Sequence, residues 1–446
     1  MDKLFGTDGI RSVANRSLTA ALALEIARTG SFFLTRESEN PYMVVGKDTR
    51  ISGDMLEGAI IAGITSLGVD VYLTGVVSTP GVAYLIRDLK AQGGIMISAS
   101  HNPVEDNGIK FFNSKGLKLT DKMEGQIEKA YFQSHDDLPR PVGGDIGRVY
   151  RVEDSIHRYI QFLKKSISAD LKGLKVVLDC ANGALYQIAP LLFEALGAEV
   201  ITLNGNPDGK NINVNCGSTH PEVVRGALLS QGGDVGFTFD GDGDRLIAVD
   251  EKGSILDGDK IMIICGNYLK EAGLLKKDTI VSTVMSNLGM DLAAQGLGLK
   301  VKRTQVGDRY VLEEMLNEDY NFGGEQSGHI IFLNHNTTGD GALTALQLTE
   351  VLIRSGKPLS ELAGLMEKLP QVLKNAKVKD TSNLHASSRV SEIIAQTEDK
   401  LGDTGRVLVR PSGTEPLVRV MLEGQNEEEL HTMASEMVKV LEEELS

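Results

Sequence analysis

The chain has 446 residues, 46 Lys and Arg against 61 Asp and Glu, and a formal net charge of −15. About 150 residues per domain makes this three domains or so, and the acidic balance excludes the basic footprint that a nucleic-acid backbone or an anionic bilayer surface demands. No apolar run approaches the ~20 residues of a membrane span, Met1-Asp2-Lys3-Leu4-Phe5-Gly6 has no signal-peptide core, and the scattered Cys180, Cys216 and Cys265 read as small buried hydrophobes, so a reducing, cytoplasmic setting is expected.

The first predicted elements are a buried strand over Tyr42 to Val45, a helix over Leu56 to Ile64 and, after Leu67-Gly68, a strand beginning at Val71. A glycine just past a helix can take the left-handed conformation that turns the chain back into a sheet. The same pattern of Leu-Gly, two residues and Val recurs at Leu196-Gly197 before Val200 and at Leu297-Gly298 before Val301. The second copy follows the strand Val176-Val177-Leu178-Asp179 and apolar residues at helical spacing, Leu185, Ile188, Leu192 and Leu196. The third follows a strand over Thr279 to Val281 and a helix around Leu288 to Ala294. Three α/β modules in series are the economical interpretation.

Pro139, Pro141, Gly143, Gly144 and Gly147 mark a linker after the first module, Lys252-Gly253 closes the second, and Leu369-Pro370 ends the third. A strand-rich segment then leads to a last helix starting near Asn426, which with Glu429 forms its cap, and Leu430, Met433, Met437 and Leu441 share its apolar face. The expected fold class is α/β: three related modules with mixed sheets, 1–150, 151–253 and 254–369, plus a smaller α+β domain over 370–446.

Four loops carry chemical potential. Ile97-Ser98-Ala99-Ser100-His101-Asn102-Pro103 places a serine on the way out of a strand, where it can be a nucleophile, a phosphate carrier or a turn cap; it is not a Gly-x-Ser-x-Gly elbow. Asp240-Gly241-Asp242-Gly243-Asp244-Arg245 lies between strand-like runs and can converge three hard oxygens on Mg²⁺, Mn²⁺ or Ca²⁺. An EF-hand fails there, because Arg245 stands where that loop needs glycine and the flanks are not helical. Gly323-Gly324-Glu325-Gln326-Ser327-Gly328-His329 offers a carboxylate, a hydroxyl and an imidazole suited to sugar hydroxyls, with His329 either an acid/base or a satisfied loop histidine. Arg410-Pro411-Ser412-Gly413-Thr414-Glu415-Pro416, with Arg419 beyond it, suits a phosphate. Pro41 replaces the first glycine of a Walker motif and no Gly-x-Gly-x-x-Gly follows a strand, so ATP and NAD are disfavoured.

These loops, in this order, resemble the α-D-phosphohexomutase superfamily. So do Phe5-Gly6-Thr7-Asp8-Gly9-Ile10-Arg11, Gly46-Lys47-Asp48-Thr49-Arg50, Cys216-Gly217-Ser218-Thr219-His220, Val306-Gly307-Asp308-Arg309-Tyr310 and Thr337-Thr338-Gly339-Asp340-Gly341. The similarity spans essentially the whole chain; Ser12 departs from the glycine common at its position. Gln326 and the stretch from Val306 to Tyr310 tilt the match toward the branch acting on glucosamine phosphate rather than the phosphomannomutase/phosphoglucomutase branch.

The resemblance implies four domains around a central cleft, the last one mobile. It implies that Ser100 is a phosphoserine carrying the phosphoryl group, and that one Mg²⁺ per subunit sits on Ser100, Asp240, Asp242 and Asp244. Arg11, His101, Lys110, Arg245 and His329 would surround the reacting phosphate, Glu325 and Ser327 would bind sugar hydroxyls, and Arg410, Ser412, Gly413, Thr414 and Arg419 would hold the phosphate not being transferred. The implied activity is an isomerase that interconverts glucosamine 6- and 1-phosphates, with hexosamine 1,6-bisphosphate as activator and intermediate. A cytoplasmic homodimer acting on a small sugar phosphate, with no nucleic-acid or membrane partner, would supply amino-sugar precursors of the cell envelope. A chemically distinct alternative is a haloacid-dehalogenase-type phosphatase with Asp240 as nucleophile and Asp242 as acid, although Asp244 stands where such enzymes usually have Thr or Val.

Overall fold

The computed structural model describes residues 4–6, 8–133, 138–378, 384, 387–411 and 417–445. Two compact units emerge: Met1–Met285 with Leu299–Leu365, and Ser286–Gly298 with Met366–Ser446.

The larger unit contains three mixed sheets. The first has six strands in the order Ile10–Val13, Asp106–Asn113, Gly93–Ile97, Tyr42–Lys47, Asp70–Val76 and Val149–Arg151. Its first two pairings are antiparallel and the rest parallel. The second runs Ile255–Leu256, Leu246–Asp250, Val235–Phe239, Lys175–Asp179 and Glu199–Leu203, and the third Lys300–Thr304, Thr279–Thr283, Phe322–Gly324 and Ile330–Phe332. Strands such as Gly93–Ile97 and Val235–Phe239 are buried at every residue, which is why they read as continuous apolar runs rather than as alternating ones.

Helices between the strands begin at identifiable caps. Ser78 accepts from Gly81 N ahead of Thr79–Leu89, and Asp340 accepts from Leu343 N ahead of Gly341–Ser355. The three Leu-Gly turns all form as expected, with Gly68, Gly197 and Gly298 at φ of 80°, 97° and 66°. One helix is shorter than its apolar spacing indicates. Only Ile188–Glu194 is helical, and Leu185 sits in the turn before it. There its side chain packs so closely on Gly243 that a Cβ at that glycine would lie 2.6 Å from Leu185 Cγ. The leucine at helical spacing therefore buttresses a neighbouring loop.

The linker rich in proline and glycine delivers the strand Val149–Arg151 onto the edge of the first sheet, where it pairs with Asp70–Val76. All three cysteines are buried free thiols. Burial, aided by Asp179 at Cys180 and Cys216, pushes the thiols up, that of Cys216 to about 12, so they stay protonated.

The smaller unit is an antiparallel sheet in the order Gln371–Lys377, Leu417–Glu423 and Arg406–Pro411, covered by Ser388–Leu401 and Glu427–Leu445. Asn426 caps the last helix, accepting from Glu428 N at 3.1 Å and donating to Glu429 Oε1 at 2.9 Å. Leu430, Met433, Met437 and Leu441 fill the core beneath it. A helix from mid-chain, Leu288–Gly296, belongs here too: buried Glu423 accepts from Asn287 Nδ2 and Leu288 N and pairs with Arg406 at 2.8 Å.

Candidate active site

Ser100 follows the buried strand Gly93–Ile97 by three residues and has φ of 53°. A side-chain-bearing residue in the left-handed region costs of order 1 kcal/mol and persists only where its surroundings impose it. Ser98 Oγ accepts from Ser100 N at 2.9 Å and donates to buried Asp48 at 2.5 Å. The result aims Ser100 Oγ, fully buried, at Asp240 Oδ2, to which it donates at 2.5 Å.

Asp240, Asp242 and Asp244 occupy the tight connection between the antiparallel strands Val235–Phe239 and Leu246–Asp250. Their carboxylate oxygens come within 4.8 Å of one another, and all three side chains are buried. Such crowding has opposite effects on its members. Burial first, then the charges of Asp244 and Asp242, push the Asp240 carboxyl well above the ordinary range. At Asp242 burial also works upward, but Lys110 at 2.7 Å and the Thr79 hydroxyl at 2.5 Å outweigh it and hold that carboxyl low. Asp242 Oδ1 and Asp244 Oδ1 have no hydrogen-bond partner among the described residues. Buried, mutually repelling, oxygen-only and partly orphaned, the donor set fits a hard divalent cation.

A lattice of alternating charge surrounds this triad. Lys110, 1% exposed, also reaches Asp8 at 2.9 Å and Asp244 at 3.8 Å. Asp8 is shared with Arg11 and with Lys118, and Lys118 in turn pairs with Asp308. Burial would raise the Asp8 carboxyl, but Lys110, Lys118 and Arg11 together hold it well below the usual range. Arg245 Nη1 donates to His101 Nδ1 at 3.1 Å, and His101 Nδ1 lies 3.4 Å from Ser100 Oγ. Burial, then Arg245 and Arg11, lower the His101 imidazole to about 4, so it is neutral near pH 7.

The loop carrying Glu325, Ser327 and His329 is stitched onto the exit of the acidic loop, with Leu246 N donating to Gly328 O at 3.0 Å. His329 Nε2 accepts from Gly339 N at 3.2 Å and faces Asp308 Oδ2 at 3.4 Å and Asp244 Oδ2 at 3.9 Å. Glu325 Oε1 accepts from Gly307 N at 3.2 Å, and burial, reinforced by Asp308, raises its carboxyl. The side chain of Gln326 is engaged by Asp259 at 3.0 Å and fixes the loop from behind. Ser327 Oγ, His329 Nδ1, Arg11 Nε and Arg245 Nε are buried without hydrogen-bond partners among the described residues. Unpaired polar atoms thus gather in one place, as a site for a polar ligand requires.

The structure therefore brings together Ser100, His101, Lys110, Arg11, Arg245, His329, Glu325, Ser327 and the three aspartates within the larger unit. In the smaller unit, Arg410 and Arg419 stand directly opposite each other on neighbouring strands. Burial and the Arg419 charge depress the Arg410 guanidinium, so an anion would relieve this pair. Ser412, Gly413 and Thr414 lie outside the described residues. Four participants had no role from sequence alone. Asp8 and Asp308 sit inside motifs noted above, whereas Thr79 carried no signal and Lys118 only the faint one of a cation between Leu117 and Leu119.

A serine hydroxyl against a buried carboxylate triad, ringed by cations and joined to the loop of Glu325, Ser327 and His329, is an arrangement chemically suited to a phosphorylated polyol. Family models agree. Those described as "Phosphoglucomutase/phosphomannomutase, alpha/beta/alpha domain I", "domain II" and "domain III" match residues 2–137, 157–253 and 257–369, and that of the C-terminal domain matches 373–440. The chain belongs to the phosphoglucomutase/phosphomannomutase family.

Among curated relatives, phosphoglucosamine mutase of Desulforamulus reducens is 55% identical over 441 residues, 99% of both chains. That of Geobacillus thermodenitrificans is 55% identical over 445 residues, 100% of this chain and 99% of the relative. A phosphoglucomutase/phosphomannomutase family protein from Burkholderia thailandensis superposes with a TM-score of 0.84 at 24% identity, covering 99% of this chain and 97% of that one. Aspergillus fumigatus N-acetylphosphoglucosamine mutase, solved with GlcNAc-6P and magnesium, gives 0.70 at 17% identity over 99% and 96%.

Proposed function

We propose that this protein is an isomerase that interconverts glucosamine 6-phosphate and glucosamine 1-phosphate by way of a phosphoserine at Ser100 and a glucosamine 1,6-bisphosphate intermediate. The observation that carries the reading is the 2.5 Å hydrogen bond between Ser100 Oγ and Asp240, at the edge of a carboxylate triad. Its support in sequence is full-length identity of 53–55% to curated phosphoglucosamine mutases. The alternative with Asp240 as nucleophile loses its basis, because all four segments match a different family.

In this reading a hydroxyl of the bound sugar monophosphate attacks the phosphorus of phosphorylated Ser100, the Ser–O–P bond breaks and the bisphosphate forms. The sugar then turns end for end, Ser100 Oγ attacks the other phosphorus, the bond from that phosphorus to its sugar oxygen breaks, and the freed sugar oxygen takes a proton in exchange for the one Ser100 gives up. Phosphoryl transfer asks for in-line positioning and compensation of spread negative charge. Arg11, Lys110, Arg245, His101 and His329 provide that environment around Ser100, while Glu325 and Ser327 hold sugar hydroxyls in either orientation. Arg410, Ser412, Gly413, Thr414 and Arg419 would clamp the phosphate that is not moving. Asp240, Asp242, Asp244 and Ser100 would hold one Mg²⁺, which when bound neutralises phosphoryl charge.

The assignment of these groups to domains 1–150, 151–253, 254–369 and 370–446, a homodimer and a cytoplasmic location complete the proposal. No helix of the described residues is long and apolar enough to cross a membrane. The test is a coupled assay on glucosamine, glucose and mannose phosphates with Mg²⁺ present and then chelated. Preferred turnover of the amino sugar, lost on chelation, is expected; equal rates on all three would refute amino-sugar selectivity.

A further inference from the structure

We infer that Arg50 and Asn213 are positioning residues that hold Ser100 in its left-handed conformation from two sides and so set the approach of its Oγ to the acidic triad. The inference rests on Ser100 being the phosphoryl carrier. Arg50 is 2% exposed, yet every N–H of its guanidinium has an acceptor. Nε donates to Asp48 at 2.9 Å, Nη2 to the carbonyls of Ser100 at 2.9 Å and Asn102 at 2.7 Å, and Nη1 to those of Pro103 and of Asp106, the latter at 3.1 Å. One rigid fork thus collects three carbonyls of the serine loop and the first carbonyl of the strand after it, an arrangement that lysine, with three donors on a flexible stem, cannot copy.

Asp48 fixes the fork in turn, accepting also from Arg50 N at 2.9 Å and from the Ser98 hydroxyl. From a loop of the second sheet, Asn213 Nδ2 donates to the same Ser100 carbonyl at 2.8 Å and to that of Asn102 at 3.1 Å. Gly241, within the acidic loop, lies so close that a Cβ there would meet the Ser100 carbonyl at 2.5 Å. The carbonyl is therefore gripped by Arg50 from its own sheet's loops and by Asn213 and Gly241 from the next.

The grip belongs to a wider joint. Thr49 Oγ1 donates to Asn182 O at 2.5 Å, Ile51 N to Gly209 O at 2.8 Å, and Asn213 N to Ala181 O at 2.9 Å. With the carbonyl fixed and φ at 53°, the direction of the Cα–Cβ bond is set, and the hydrogen bond from Ser100 Oγ to Asp240 selects the rotamer. This assigns a task to the Gly46–Arg50 motif: it contributes no group to the triad or to the sugar-reading loop, but fixes the angle at which the serine is offered.

The test compares Asn213→Gly and Arg50→Lys with the parent enzyme. Asn213 is itself left-handed, at φ of 58°, so glycine removes the amide donor and keeps the backbone path. Because a displacement of about 1 Å at a reacting centre costs about a hundredfold in rate, Arg50→Lys should lower kcat about a hundredfold and Asn213→Gly about tenfold. In both, KM for the sugar phosphate should stay within about threefold, and the urea midpoint of Asn213→Gly should stay close to the parent's. If Asn213→Gly keeps kcat within about twofold of the parent, or if its loss falls on KM, the inference is wrong whatever Arg50→Lys does. Intact mass of the parent separates this from the underlying reading: Ser100 that neither carries a phosphate nor accepts one from the bisphosphate would overturn the carrier assignment and the inference with it.

Discussion

Lys118→Met tests the charge lattice, because the ammonium of Lys118 is shared by Asp8 and Asp308 while its stem can be replaced by a thioether of similar length. After truncation Asp8 still has Lys110 at 2.9 Å and Arg11, so most of the cost falls on Asp308, left with Arg309 N and with His329 at 3.4 Å. Breaking a buried ion pair costs 3–5 kcal/mol; with side-chain exposures of 9% and 11% for the two partners, the lower end, about 3 kcal/mol at pH 7, is expected. The pH dependence has a definite sign. Burial pushes the Asp308 carboxyl up, but Lys118 first and His329 second bring it below the ordinary value of 3.8. Its favourable contribution in the parent is therefore complete above that value and lost only as pH falls through the lower native one. In the variant burial is no longer opposed by Lys118, the carboxyl rises, and protonation relieves the unpaired charge as the solution is acidified. The destabilisation should thus shrink between pH 7 and about pH 4. Urea unfolding followed by tyrosine emission suits a chain with 10 tyrosines and no tryptophan. A loss below about 1 kcal/mol at pH 7, or an equal loss at both pH values, would refute the reasoning.

Three further outcomes follow from the geometry. Asp242→Asn, which removes a charge from the donor set and from the Lys110 pair, should lower activity at least about a hundredfold and raise the Mg²⁺ concentration needed for half-activation, measured by metal titration after chelation. Gly339→Ala would place a Cβ 2.5 Å from His329 Nε2 and Cδ2, so the imidazole must rotate away; a loss of kcat of about tenfold or more, with an unchanged circular-dichroism spectrum, is expected. Tyr159→Phe removes the hydroxyl that donates to Asp340 Oδ2 at 2.6 Å in a fully buried setting, a bond to a charged acceptor worth about 1.5–3 kcal/mol, and should lower the urea midpoint accordingly.

Much of this molecule was legible because strong local signals coincide with buried elements. The strands at Tyr42 and Val176, the glycine turns and the capped last helix each combine an apolar period with a punctuating residue. The acidic loop drew notice for a different reason, three carboxylates in five residues, and the structure brings their oxygens within 4.8 Å of one another. The order of strands in each sheet was not readable, since pairing depends on contacts far apart in sequence. Nor was the false helical turn at Leu185, where correct apolar spacing serves contact with Gly243. Lys118 and Arg50 show the limit most clearly. Lys118 acts through Asp308, 190 residues away, and Arg50, apart from its neighbour Asp48, through carbonyls such as that of Ser100, 50 residues away, so a window around either residue misses most of its reason for being there.

The smaller unit draws Ser286–Gly298 from the middle of the chain and completes itself only with Met366–Ser446. Glu423 binds that borrowed helix through its first backbone amide and through Asn287. Recombination between genes therefore cannot exchange the last eighty or so residues as an autonomous cassette, because a transplanted tail would meet a foreign helix across its buried carboxylate. During synthesis, too, the borrowed helix leaves the ribosome well before Glu423 does, so its first amide must wait for that carboxylate.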